Sequence, residues 1–147
     1  MTEEQVTKSL LKWLSDHQWE IICFDFPQSG TGRFLHPNGD TNKNKDTINP
    51  DIVAVKDNIC LFFENKDRYY FPDYQKQNRL IVDNNYTDAI ASLLSGFNIV
   101  RTFYGIGFPK EKYKGEAVLN REMVDFIVGV DRDGKSEFLY NPQLIAP

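Results

Sequence analysis

The chain reads as a single α/β (α+β) domain, residues 1–147, built on a central mixed β-sheet flanked by helices. Three observations predict it. The 147 residues suffice for one buried core and are too few for two. The composition, 41% hydrophobic and 14% aromatic, is that of a packed globule and not of a disordered segment. Strand-length apolar runs and stretches of helical spacing follow one another as helix, strand, hairpin, helices, strand and hairpin, and a sheet covered by helices buries all of those faces at once.

Thr2-Glu3-Glu4 starts the first helix, and Val6, Leu10, Leu11, Trp13 and Leu14 give it an apolar stripe as far as Asp16 or His17. Trp19 to Phe26 reads as a strand, ended by Pro27 and the turn-rich Ser29-Gly30-Thr31-Gly32. A long polar connection from Gly30 to Asn49 follows, with His36-Pro37-Asn38-Gly39 as its sharpest turn signal. Asp51 to Val55 and Ile59 to Phe63 form a hairpin about Lys56-Asp57-Asn58. Pro72-Asp73 opens a second helix through Gln75, Leu80 and Ile81, which Asn84-Asn85 interrupts. Thr87-Asp88 is expected to cap a third through Ala89, Ile90, Leu93 and Leu94, with Gly96 as its C-terminal stop. Phe97 to Tyr104 is the next strand, and Val124–Val130 with Glu137–Tyr140 make a closing hairpin about Asp133-Gly134. Cys23 and Cys60 each sit inside an apolar run, where free cysteine packs as a small hydrophobe, so neither a disulfide nor a zinc site is expected.

The chemistry gathers at the first hairpin. Pro50-Asp51 begins one strand and Glu64-Asn65-Lys66 ends its partner, so antiparallel pairing brings Asp51, Glu64 and Lys66 to one end of a hydrophobic sheet. Alternation along the strand puts Glu64 and Lys66 on one face and Asn65 on the other. Two carboxylates beside an ammonium suit a hard divalent cation such as Mg²⁺, which takes one or two carboxylates plus water and substrate phosphate. The plain alternative is a turn-capping Asp51 beside a surface Glu64–Lys66 ion pair.

These residues and this element order, over roughly residues 3 to 104, resemble the PD-(D/E)xK nuclease superfamily with its restriction-endonuclease-like core of order αβββαβ, here with an added C-terminal hairpin. The resemblance implies that Asp51 and Glu64 bind Mg²⁺, with Mn²⁺ able to substitute, that the Asn65 backbone carbonyl assists, and that Lys66 positions or activates the attacking water. It also implies a glutamate from the first helix. Glu3 lies on the core-facing stripe with Val6, Leu10 and Leu14 and is preferred to Glu4, although acidic residues in a first turn also complement the helix dipole.

Several further residues are candidates for nucleic-acid binding. Arg33, His36, Asn38, Lys43 and Lys45 in the long loop, and Arg68, Gln75 and Lys76 after the motif, offer donors to phosphates and base edges; a solvated surface is the alternative. Tyr69, Tyr70, Phe71 and Tyr74 are suited either to stacking on bases or to packing beneath the second helix. His36, beside Pro37, reads as a turn residue in preference to a metal ligand, and His17 is equally open. The net charge of −4 counts mildly against nonspecific nucleic-acid binding, but a carboxylate-rich cation site accounts for part of it.

The expected activity is a metal-dependent endonuclease hydrolysing DNA phosphodiesters, of restriction or other defence type, with RNA and branched DNA as other substrates and a noncatalytic binding or assembly domain as the alternative. Cutting both strands of a duplex would favour a homodimer. No Walker loop or dinucleotide fingerprint is present, and Gly105-Ile106-Gly107 is too short to count. No run reaches the roughly 20 apolar residues of a membrane span, and the polar start Met1-Thr2-Glu3-Glu4 is unlike a secretory leader, so an intracellular, cytoplasmic protein is expected.

Overall fold

The computed structural model describes residues 1–25, 35–38 and 47–147. Its centre is one six-stranded mixed sheet in which the strands lie side by side in chain order. These are β1 (Glu20–Phe24), β2 (Ile52–Lys56), β3 (Ile59–Asn65), β4 (Arg101–Pro109), β5 (Phe126–Val130) and β6 (Ser136–Tyr140). Neighbours at both edges pair antiparallel, while β3, β4 and β5 run parallel. The mixed sheet flanked by helices, with a hairpin at its C-terminal edge, is the architecture expected.

Helix α1 (Glu3–Asp16) covers one face. A capping box between Thr2 and Gln5 starts it, and Val6, Leu10 and Leu14 pack on Ile52, Ala54, Leu61, Phe63 and Phe126. The other face carries α2 (Phe71–Val82), α3 (Thr87–Leu93) and the short α4 (Glu116–Leu119). Leu80, Tyr86 and Leu94 close over Val53, Val55, Cys60 and Phe62, and Tyr74 and Ala117 over Ile106 and Ile127. Both cysteines are free and buried.

Two boundaries differ from expectation. The fourth strand is displaced along the chain, from the predicted Phe97–Tyr104 to Arg101–Pro109. Phe97 to Val100 serve as the connection from α3, with Phe97 N–H donating to the Leu94 carbonyl. Parallel pairing with β3 begins at Ile59↔Arg101 and carries the strand on to Asn65↔Gly107. Gly105 and Gly107, which lower intrinsic strand propensity, are required there: a Cβ on Gly105 would overlap the Phe126 ring, and one on Gly107 would meet Leu10 and the Asn65 amide.

The cap of α3 is the second difference. Tyr86 occupies the N-cap position and Thr87 is already helical. The capping oxygen comes from far upstream, because Asn38 Oδ1 accepts from Asp88 N–H at 3.0 Å while its Nδ2 donates to the Asn84 carbonyl and to Thr87 Oγ1. The helix ends at Leu93 with Leu94 as C-cap, so Gly96 lies beyond the stop.

Candidate functional site

The register Ile52↔Phe63 puts Asp51 opposite Glu64 at one end of the β2–β3 hairpin. Asp51 N–H donates to the Phe63 carbonyl at 3.0 Å, and Asp51 Oδ2 accepts from Asn65 N–H at 2.7 Å, locking the carboxylate against the last turn of ladder. Asp51 is 9% exposed and Glu64 7%. Burial, and then for Asp51 the charge of Glu64, hold both carboxyls well above the usual carboxylate range.

The partner of Glu64 is Lys76. Its Nζ lies 2.9 Å from Glu64 Oε1, reaching across from α2. Lys76 was expected to meet nucleic acid; helical geometry directs it inward to the carboxylates, whose charges outweigh its desolvation and raise its pKa. Lys66, expected beside Glu64, instead continues the ladder through its N–H to the Gly107 carbonyl and lays its Nζ 4.5 Å above the Tyr70 ring centroid. Its charge still reaches Asp73 and partly opposes the rise in that residue's pKa that burial causes. The surface Glu64–Lys66 pair is therefore not formed.

Asp73, one turn before Lys76, is a residue that sequence reasoning missed as a site group. It is 7% exposed, and its Oδ2 is buried with no hydrogen-bond partner among the described residues. Burial pushes its carboxyl up to about 6 against the pull of Lys76 and Lys66. The sequence signal was periodicity, since Asp73, Gln77 and Leu80 fall on one stripe at helical spacing. Gln77, also buried on this helix, donates to the Phe62 and Gly105 carbonyls and so joins β3 to β4. Gln75, chosen from the sequence, is exposed, because it lies on the opposite side of α2.

Glu3 reaches the cluster from the start of α1. Its carboxylate contributes to the raised pKa of Asp51, Glu64 and Asp73, whereas Glu4 pairs with Lys8 at 3.2 Å. Behind the site, Asn65 turns its side chain to the α1 face and donates to Thr7 Oγ1 at 3.1 Å.

The remaining candidates divide. Arg68 pairs with Asp67 at 2.8 Å and stands over Tyr70. Asn38 has both ends of its amide engaged at α3. His36 Nδ1 is 3.3 Å from Thr47 Oγ1, and His17 Nδ1 is 2.8 Å from the Trp13 carbonyl. Arg33, Lys43 and Lys45 lie outside the described residues. Tyr74 is core, donating to the Ala117 carbonyl, and Tyr69 accepts from Asn120 Nδ2; Tyr70 and Phe71 are exposed.

The arrangement is therefore an acidic cluster of Glu3, Asp51, Glu64 and Asp73 with the half-buried ammonium of Lys76 at Glu64. Among the described residues, no three His, Cys, Asp or Glu side chains are gathered into a ready-made cation site. The donor set nevertheless fits a hard divalent cation: it is all oxygen, and the Asp51 and Glu64 carboxyls are buried side by side. No family model matches the chain, and no curated protein matches it. Among the described residues no helix is long and apolar enough to cross a membrane.

Proposed function

We propose that this protein is a metal-dependent endonuclease that hydrolyses DNA phosphodiesters. The observation that carries the reading is the pair of buried carboxylates, Asp51 and Glu64, held side by side at the end of one hairpin. The PD-(D/E)xK resemblance of Pro50-Asp51 and Glu64-Asn65-Lys66 supports it, and with it the restriction-endonuclease-like assignment of the core.

Asp51 and Glu64, with the Asn65 carbonyl and Glu3, would hold Mg²⁺, or Mn²⁺ in its place. When bound, the ion lowers the pKa of water and offsets charge developing on the scissile phosphate. The chain's own groups do the rest. The Asp51–Asn65 hydrogen bond fixes the carboxylate before substrate arrives. Lys66, released from the Tyr70 face, supplies a donor for the attacking water or a phosphate oxygen. Arg68, whose charge reaches Asp73, offers a phosphate contact beside the site, whereas Gln75 lies on the far side of α2.

The test is cleavage of supercoiled plasmid with Mg²⁺ or Mn²⁺ beside EDTA and the Asp51→Ala variant. Cleavage should need the ion and fall by on the order of 10³-fold in Asp51→Ala. Cleavage that survives the substitution would point to another site or a contaminant; if duplex is inert, single-stranded DNA and RNA are tried next.

One observation favours a second reading, a noncatalytic binding or assembly domain on this scaffold. Lys76 already gives Glu64 a counter-charge. On that reading neither Mg²⁺ nor Mn²⁺ alters the surroundings of Asp51 and Glu64, which carboxyl NMR shifts would register.

A further inference from the structure

Asp73 and Lys76 are three residues apart on α2, so their side chains are neighbours on one face, with Cβ atoms about 5–6 Å apart. They are unequally satisfied. Lys76 Nζ is engaged with Glu64 Oε1 at 2.9 Å, whereas Asp73 Oδ2 is buried and bare. A buried carboxylate oxygen without a donor is costly, and such a group calls for a partner. Lys76 also faces Asp73 closely enough for the two charges to act on each other. The groups facing this ammonium are Glu64, Asp51 and Asp73, with Glu3 beyond them on α1 and Lys66 beside Asp73.

We propose that Asp73 is the receiving acceptor for Lys76: when a divalent cation takes Glu64, the ammonium passes from Glu64 Oε1 to Asp73 Oδ2. The inference rests on the reading that Asp51 and Glu64 bind such a cation. Lys76 is then an internal placeholder, giving Glu64 a counter-charge until the ion arrives. Asp73 keeps the displaced ammonium paired inside a poorly solvated cleft, where an uncompensated charge would oppose ion binding. Asp73 is thus a positioning residue acting through Lys76.

A double-mutant cycle on divalent-ion affinity tests this in the full chain. Mn²⁺ binding is followed by electron paramagnetic resonance and Mg²⁺ binding by calorimetry, with thermal melts in EDTA to verify folding. Lys76→Met should tighten binding by removing the competing cation, and Asp73→Asn should weaken it on the order of tenfold while Lys76 is present. In the Lys76→Met background Asp73→Asn should have little effect, because no ammonium remains to be received. Lys76→Gln replaces Lys76→Met if the latter does not fold. Equal weakening by Asp73→Asn in both backgrounds would make Asp73 a direct ligand and overturn the exchange, as would no effect in either. Failure of the underlying reading looks different: the unsubstituted protein and Asp51→Asn would then be alike in binding no ion, which overturns both.

Discussion

Burial is what gives Asp51, Glu64 and Asp73 their chemistry. Each carboxyl is protonated more readily in the folded chain than in the unfolded one, where the ordinary values are 3.8 for aspartate and 4.5 for glutamate. A folded pKa above the unfolded value means that the folded state binds the proton more tightly. The stabilisation is complete below about pH 4 and is lost as pH rises through the folded values, about 6 for Asp73 and higher for Asp51. In EDTA, thermal melts should therefore show stability increasing between about pH 8 and about pH 5, and Asp51→Asn should flatten that profile. An unchanged slope in Asp51→Asn would mean that Asp51 does not carry the effect. Behind the site, Asn65 Nδ2 donates to Thr7 Oγ1. Thr7→Val keeps the shape and removes the acceptor, and urea unfolding should register a loss of about 1–3 kcal/mol.

At the scale of elements, β4 and α3 are held by partners distant in sequence. β4 lies between two parallel neighbours with α1 and α2 packed on its faces, and its glycines are where side chains from elsewhere occupy the space of a Cβ. Gly105→Ala forces a methyl into the Phe126 ring and should destabilise by about 1–3 kcal/mol in denaturant titrations. A neutral result would mean that the ring moves aside at no cost. Helix α3 has seven residues and no buried side chain of its own, and it depends on the Asn38 amide for its cap. Asn38→Ala should cost about 1 kcal/mol and speed amide exchange in residues 87–94 well before the rest of the sheet. Uniform acceleration throughout the molecule would instead make Asn38 part of the global fold.

For the whole molecule, the fold brings the starts of α1, α2 and β2 and the end of β3 to one acidic site. On the proposed nuclease reading, one such site per chain would nick one strand at a time, so cutting a duplex would need two chains or two visits. If that nuclease works as a homodimer, light scattering should return twice the 17.1 kDa chain mass at the concentrations where plasmid is linearised. Linear product from a monomer, by way of accumulated nicked circles, would rule that assembly out. The net charge of −4 makes substrate attraction depend on local cations such as Lys66 and Arg68, so cleavage should fall steeply with added salt.

The sequence by itself determined the order of the main elements, though not the short α4, and the pairing of β2 with β3 that brings Asp51 and Glu64 to one end, while the turn between these strands is Asp57-Asn58, with Lys56 already paired to Ile59. It also separated Glu3 from Glu4, since helical periodicity states which side of α1 is buried. It did not decide which ammonium serves Glu64. Lys66 belongs to the motif and Lys76 to the helix after it, and only the packing of α2 across the sheet sends Lys76 to the carboxylate and leaves Lys66 on Tyr70. Asp73 and Gln77 likewise gain their surroundings from that docking, and the start of β4 from its parallel neighbour. Local pattern tells which face of an element is buried. What stands against that face is decided by long-range contacts, and pKa values, ion pairs and bare acceptors follow from those contacts.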